Sequence, residues 1–295
     1  MSPRQYRAVF LQGTTTAPLS APHARLSLVS LASLTFNEWR GLELAAATRI
    51  AEQAAAESEG RLDRVESVEH LGTTLHRVLI ERDGQVFSLI PGGKVTVGFD
   101  LAAWQPAPDM LDCYREQSLS QGYGFDPDLR VHLGQYLSPR RTVTVPTLLM
   151  AVEDEPLTAP PEKMPAALTS RGLRLPHPDE WEHACGAGAA TLFRWGNWCP
   201  LDRIPYGDKA GPQHQPNAFG LRIADSVYSA EVTSDPAAIH GGDGGEAVCG
   251  GYGTLLAWLP LATANHNPSI AEFVHGPDGE DMYEDFSTRP VIDLR

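Results

Sequence analysis

The chain is short of cysteine, has no long apolar run and carries no excess of positive charge, and each shortage excludes something. Its 23 Lys and Arg stand against 37 Asp and Glu, a formal net charge of -14. A surface that acidic repels phosphate backbones, which argues against nucleic acid as a partner. No run of about eighteen apolar residues occurs, the length a membrane-crossing helix needs, so no membrane partner is expected. Met1 to Leu34 lacks a basic cluster followed by an apolar stretch. Arg4, Arg7 and Arg25 are scattered, and Leu26 to Phe36 is broken by Ser27, Ser30 and Ser33. That pattern reads as a strand and not a signal peptide, and the expected location is cytoplasmic. The four cysteines, Cys113, Cys185, Cys199 and Cys249, form no CxxC pair. They read as free, partly buried thiols, with Cys249 a small buried residue, and not as a disulfide framework or a zinc site. The glycine-dense stretch from Gly241 to Gly253 is followed by no helix pattern and no Gly-Lys-Ser/Thr, which argues against a phosphate cradle.

What is present divides at about residue 85. In residues 1–85, an N-terminal α/β extension, Tyr6 to Leu11 and Leu26 to Phe36 read as strands. Thr35 and Glu38 have capping-box spacing, and Asn37 to Glu59 reads as one long helix. Its apolar residues Leu42, Ala45, Ala46, Ile50 and Ala54 recur at helical steps, and Gly60 is its stop. Thr74 to Glu81 and Gln85 to Ile90 flank Asp83-Gly84, a hairpin signal because glycine accepts the positive φ of a tight turn. In residues 86–295, Leu101 to Pro139 has no sustained period and reads as an insertion. Arg141 to Pro146 and Leu148 to Glu155 read as strands, and Thr158 to Ser170 as an irregular connection. The closing Arg289-Pro290-Val291-Ile292-Asp293-Leu294 reads as a last strand.

Four segments in order carry a resemblance: Arg174-Leu175-Pro176 leading into Glu180-Trp181-Glu182, then Phe193-Arg194-Trp195-Gly196-Asn197, then Asn217-Ala218-Phe219-Gly220-Leu221, then Gly250-Gly251-Tyr252. Together they resemble the formylglycine-generating enzymes, also called sulfatase-modifying factors. The similarity covers about Phe87 to Leu294. It implies an α+β domain related to C-type lectins, with a small antiparallel sheet and long loops. The family's oxidases bind copper through two cysteines on a strand after the double glycine, and this chain holds Leu255 and Pro260 there. Copper is therefore not expected, because Cu(I) favours a pair of thiolates. The resemblance also implies a calcium loop, here Arg222 to Glu231. With Ser226 and Ser229 in place of the family's oxygen ligands, calcium is expected to be weak or absent, Asp225 and Glu231 being the residual candidates.

Two functions follow. The first is a binding or accessory module, a pseudoenzyme on the same scaffold, taking a peptide or small-molecule ligand into a groove lined by Tyr228, Tyr252, Trp258 and Trp198. The second is a metal-dependent oxidoreductase with a replaced site, built from Cys249, His266 or His275 near the acidic run Asp278, Glu280, Asp281, Glu284 and Asp285. His177 and His183, six apart and so about 120° apart around a helix, cannot share a metal.

Overall fold

A computed structural model describes residues 30–206, 210–276, 279 and 282–295. The strand expected at Tyr6 to Leu11, the start of the one at Leu26, and Asp278, Glu280 and Asp281 lie outside them. Within them Leu31–Ser33 form a 3₁₀ turn where a strand was expected. Thr35 then caps α1 (Phe36–Arg40): its hydroxyl accepts from the Glu38 amide, and the Glu38 carboxylate accepts from the Thr35 amide. The single helix expected from Asn37 to Glu59 is two. Gly41 ends α1, and α2 (Leu44–Glu57) starts afresh after Glu43. The break turns the buried face to Ala47, Ala51, Ala54 and Ala55, while Leu42 and Ile50 pack at its edge. Alanines let α2 lie close against β1 (Arg61–His70).

Two hairpins follow. β1 turns through Leu71-Gly72 into β2 (Thr73–Arg82), and β2 turns through Asp83-Gly84 into β3 (Gln85–Ile90). All four turn residues have positive φ, as two-residue hairpins of right-handed twist require. β1 gave no sequence signal because its residues are mostly polar and partly exposed. β4 (Gly93–Val97) comes next. The insertion contains α3 (Pro108–Cys113), a wide π turn at Tyr114–Ser118, a 3₁₀ turn at Leu119–Gln121 and α4 (Leu129–Leu133). It returns through β5 (Arg141–Val145), antiparallel to β4.

β6 (Leu148–Ala151) is buried throughout, and its alternate side chains enter two separate cores. That is why its four residues are uniformly apolar. β7 (Glu155–Pro156) and α5 (Met164–Thr169) follow, so the connection from Thr158 to Ser170 does contain a helix. α6 (Pro178–Gly186) is almost wholly buried. His177 caps it, and Glu180 accepts from the His177 amide and from Arg174. Asn217 closes its far end, donating to the carbonyls of Ala184 and Cys185. The remainder is β8 (Glu231–Val232), β9 (Ile239–His240), α7 (Glu246–Cys249), α8 (Thr254–Trp258), α9 (Pro268–Val274), β10 (Ser287–Thr288) and β11 (Val291–Asp293). The stretch after the double glycine is thus the helix α8 and not a strand; Leu-Leu-Ala-Trp is a run of helix formers, and Pro260 lies just beyond its end.

The principal sheet has the order β1-β2-β3-β6-β11, antiparallel throughout, and it runs across position 85. A second sheet, β7-β10-β8-β9, includes the parallel pair β8–β10, and β4–β5 is a separate ribbon. The architecture is mixed α+β with mainly antiparallel pairing. No helix among the described residues is long and apolar enough to cross a membrane.

One buried ion pair joins the sheets. Arg289, fully buried, donates to both oxygens of Glu231 at 3.0 and 2.8 Å and to the carbonyls of Ala151, Val152 and Arg222. The indole of Trp181 donates to the same carboxylate at 2.7 Å. Burial raises the Glu231 pKa and Arg289 opposes that push; three donors facing two oxygens hold it as an anion. Arg289→Leu leaves that carboxylate buried without its cation, and is expected to lower the unfolding free energy by about 3–5 kcal/mol in urea titrations. A loss below about 1 kcal/mol would show that the pair is incidental.

Candidate functional site

The insertion docks on the segment from Gly241 to Pro260 and forms a pocket there. The Ser118 hydroxyl donates to the Tyr252 carbonyl at 2.6 Å, and the Gln117 side chain accepts from the Thr254 amide at 2.9 Å. Gly253, at φ 95°, allows this approach, since a Cβ there would lie 2.7 Å from the Ser118 oxygen. The pocket is small, with a cavity volume of about 30 Å³, and it opens to solvent. Its aromatic wall is continuous: Phe125 packs edge-on against Tyr252 at 5.2 Å and tilts over His132 at 4.8 Å, and His132 meets Tyr136 at 5.4 Å. Tyr123 extends the wall outward, 5.1 Å from Tyr252. Leu256, Leu259 and Pro260 supply the aliphatic side.

Two carboxyls and several amide and hydroxyl groups also line this pocket. Asp243 is 4% exposed and closes the turn into α7, accepting from the amides of Gly245 and Ala247 at 2.9 Å each. Burial raises its pKa to about 6, although those two amides pull the other way. Glu246 is exposed at the rim, 3.5 Å from the Tyr252 hydroxyl. Asn265 is 3% exposed, and its side-chain oxygen has no hydrogen-bond partner. Burial lowers the pKa of His132, so its ring is neutral near pH 7. The site combines aromatic rings and two carboxyls, with no Lys or Arg lining it.

Of the four residues expected to line a groove, Tyr252 does so. Trp258 is fully buried, its indole donating to the Arg203 carbonyl, and belongs to the core. Tyr228 is exposed, packed on Tyr206 beside Gly245, and Trp198 is exposed beside the Gly196 turn. Neither lines the pocket. Cys249 itself is exposed at the end of α7 and is not a buried residue. Glu231 is buried against Arg289 and Trp181, which removes it as a calcium ligand, and Asp225 is half-buried near Arg194 and Arg289.

His266 enters a second cleft with His240, Glu182 and Arg141. His240 stacks on Trp181 at 4.6 Å and donates from Nδ1 to the Asn265 carbonyl, so its unpartnered Nε2 is a lone pair. Both oxygens of Glu182 are engaged, by Arg141, Ser138 and the Gly98 amide. His275 is exposed just past α9, outside the lining of that cleft. Cys249, His266 and His275 therefore do not form one site. Among the described residues, no three His, Cys, Asp or Glu side chains are placed to hold a metal ion.

The thiol that approaches Leu255 is Cys113 from the insertion, not Cys249. It reaches the backbone amides of Leu255 and Thr254, and it lies close enough to Cys199 for the two to interact electrostatically. Burial raises the Cys113 pKa and pushes that of Cys199 to about 12, so both thiols stay protonated at neutral pH.

Sequence reasoning missed Phe125, His132, Tyr136, Asp243 and Asn265. A signal for part of the wall existed: Leu129, His132, Leu133 and Tyr136 follow helical spacing inside a stretch read as aperiodic. No known protein family, curated protein or solved structure matches the chain.

The Asp243 carboxyl gives a pH signature. With a folded pKa of about 6 against an ordinary 3.8, the native state holds a proton that the unfolded state has released. Its contribution to stability is therefore full below pH 3.8 and is lost as the pH rises to and through 6. Measured by urea unfolding, wild type is expected to lose up to about 3 kcal/mol relative to Asp243→Asn across that window, with no further change above it. An unchanged difference across the window would show an ordinary carboxylate.

Proposed function

We propose that this chain is a binding module, a non-oxidase relative of the formylglycine-generating enzymes, that takes a peptide or small-molecule group into the pocket beside Tyr252. The observation that carries the reading is the pocket itself: a concave site with aromatic and aliphatic walls and a few convergent polar groups, the usual make-up of a ligand site. The kinship rests on the four quoted segments. Their structural behaviour supports it: Trp181 is in the core, Asn217 closes α6, and Phe193 bridges Gly196 in a tight turn. Leu255 and Pro260 are buried and offer no ligand atom where the family's oxidases bind copper.

A second reading, a metal-dependent oxidoreductase acting through His266, draws on the cleft that His266 shares with His240 and Glu182. Metal analysis separates the two. The binding reading expects no stoichiometric iron or copper in the purified protein, whereas a bound metal lost in His266→Ala would move the assignment to that cleft.

Chemistry tests the loss of oxidase function. Cys113 and Cys199 are the thiols nearest to a pair, and burial keeps both protonated. Incubated in air with Cu(I) and a cysteine-containing peptide, the protein is expected to yield no aldehyde product by mass spectrometry. Conversion of the peptide cysteine to an aldehyde would overturn the reading.

A further inference from the structure

A separate cleft lies between the end of α1, the turn from β1 to β2 and the loop after α6. We propose that it binds a monocarboxylate carried on an apolar stem. Its cavity volume is about 260 Å³, and it shares no residue with the pocket beside Tyr252, so this inference goes beyond the binding reading above.

Three features point to that chemistry. The first is a cation without a counter-ion. Arg40 is exposed at the end of α1, 5.7 Å over the Phe36 ring, and among the described residues it has no ion-pair partner. No Asp or Glu lines the cleft, in a chain that carries 37 of them. A guanidinium in an acid-free lining suits an anion, and its planar fork matches the two oxygens of a carboxylate.

The second feature is a supply of N–H groups. The loop after α6 is Ala187-Gly188-Ala189-Ala190, whose short side chains leave the backbone open. Gly188 and Ala190 are exposed, and their amides donate to no acceptor among the described residues. The last carbonyls of α6, which would repel an anion, are already engaged. That of His183 accepts from the Ala187 amide, those of Ala184 and Cys185 from Asn217, and that of Gly186 from the Ala189 amide.

The third feature is Leu71. It holds the first position of the two-residue turn at φ 47°, where asparagine, aspartate or glycine is the usual residue. A bulky side chain is strained in that conformation, and this one is 51% exposed. Leucine there costs the turn and gives the cleft an apolar wall, shared with Phe36, Leu75 and Ala187. Inorganic phosphate has nothing to lay against that wall. A carboxylate on such a stem occurs on a short-chain acid and at the end of a peptide with an apolar last residue.

The test uses the full chain and NMR titrations read at the amides of Gly188 and Ala190. The probes are hexanoate, hexylammonium, n-hexanol, acetate, inorganic phosphate and Nα-acetyl-leucine. Hexanoate is expected to bind about tenfold or more tightly than acetate or phosphate, through its buried methylenes. It is expected to bind about fivefold more tightly than n-hexanol, with hexylammonium silent. Arg40→Gln, at an exposed position, is expected to weaken hexanoate about fivefold and to leave n-hexanol unchanged. Leu71→Asn is expected to weaken hexanoate about threefold while Tm stays level or rises, a result that a purely structural leucine would not give. Nα-acetyl-leucine binding more tightly than hexanoate identifies a peptide terminus as the source, and weaker binding a small acid; either order supports a carboxylate. Hexylammonium, n-hexanol or phosphate binding as tightly as hexanoate would overturn the inference. So would hexanoate binding unaffected by Arg40→Gln, or silence from every probe. None of these results touches the pocket beside Tyr252, where binding is read at the amides of Ala247 and Tyr252.

Discussion

The Arg289–Glu231 pair is the constraint on which the rest of the structure depends. A guanidinium with no exposed surface must find acceptors for all of its N–H groups, and this one finds them on three chain segments at once: the Glu231 carboxylate on β8, the carbonyls of Ala151 and Val152 at the end of β6, and that of Arg222 in the loop after Asn217. A buried pair of this kind is not a cheap source of stability, because two charges leave water to form it. Its effect is on specificity. Each segment must arrive in one place, or a charge is left without a partner.

That constraint reaches the pocket through a chain of contacts. Glu231 holds the Trp181 indole, Trp181 stacks on His240, and His240 donates to the Asn265 backbone carbonyl. Asn265 is thereby fixed in the pocket lining. The opposite wall is hung differently. Phe125, His132 and Tyr136 come from an insertion anchored by the Ser118 hydroxyl and the Gln117 side chain. The site therefore joins a base held through the buried ion pair to an aromatic wall carried by the insertion, the Tyr136 carbonyl accepting from the His266 amide.

Much of the scaffold was legible in the residues. Thr35 and Glu38 announce a helix start, Asp83-Gly84 a hairpin, and Arg289 to Leu294 a closing strand, because each depends on local backbone preference. The failures are equally physical. The helix after Asn37 breaks at Gly41 because packing on the sheet, not propensity, selects its face. The segment after the double glycine was read as a strand by analogy, although its Leu-Leu-Ala-Trp run favours a helix. The pocket was legible in one residue, Tyr252. His132 and Tyr136 carry a helical spacing that marks their part of the wall, whereas Phe125 lies outside that period. A lone Asp or Asn in a sequence does not show that burial has left it short of a partner. Trp258 illustrates the converse: a large aromatic beside a motif looks like a ligand platform until its burial is known.

The central claim is that this chain presents the ring-lined pocket beside Tyr252 as a binding site. An NMR screen of small-molecule fragments and short peptides against the full chain tests this most directly. The account predicts binders that shift the amides of Ala247 and Tyr252, with the shifts lost in Tyr252→Ala. Binders confined to other surfaces, with the Ala247 and Tyr252 amides unmoved, would contradict it.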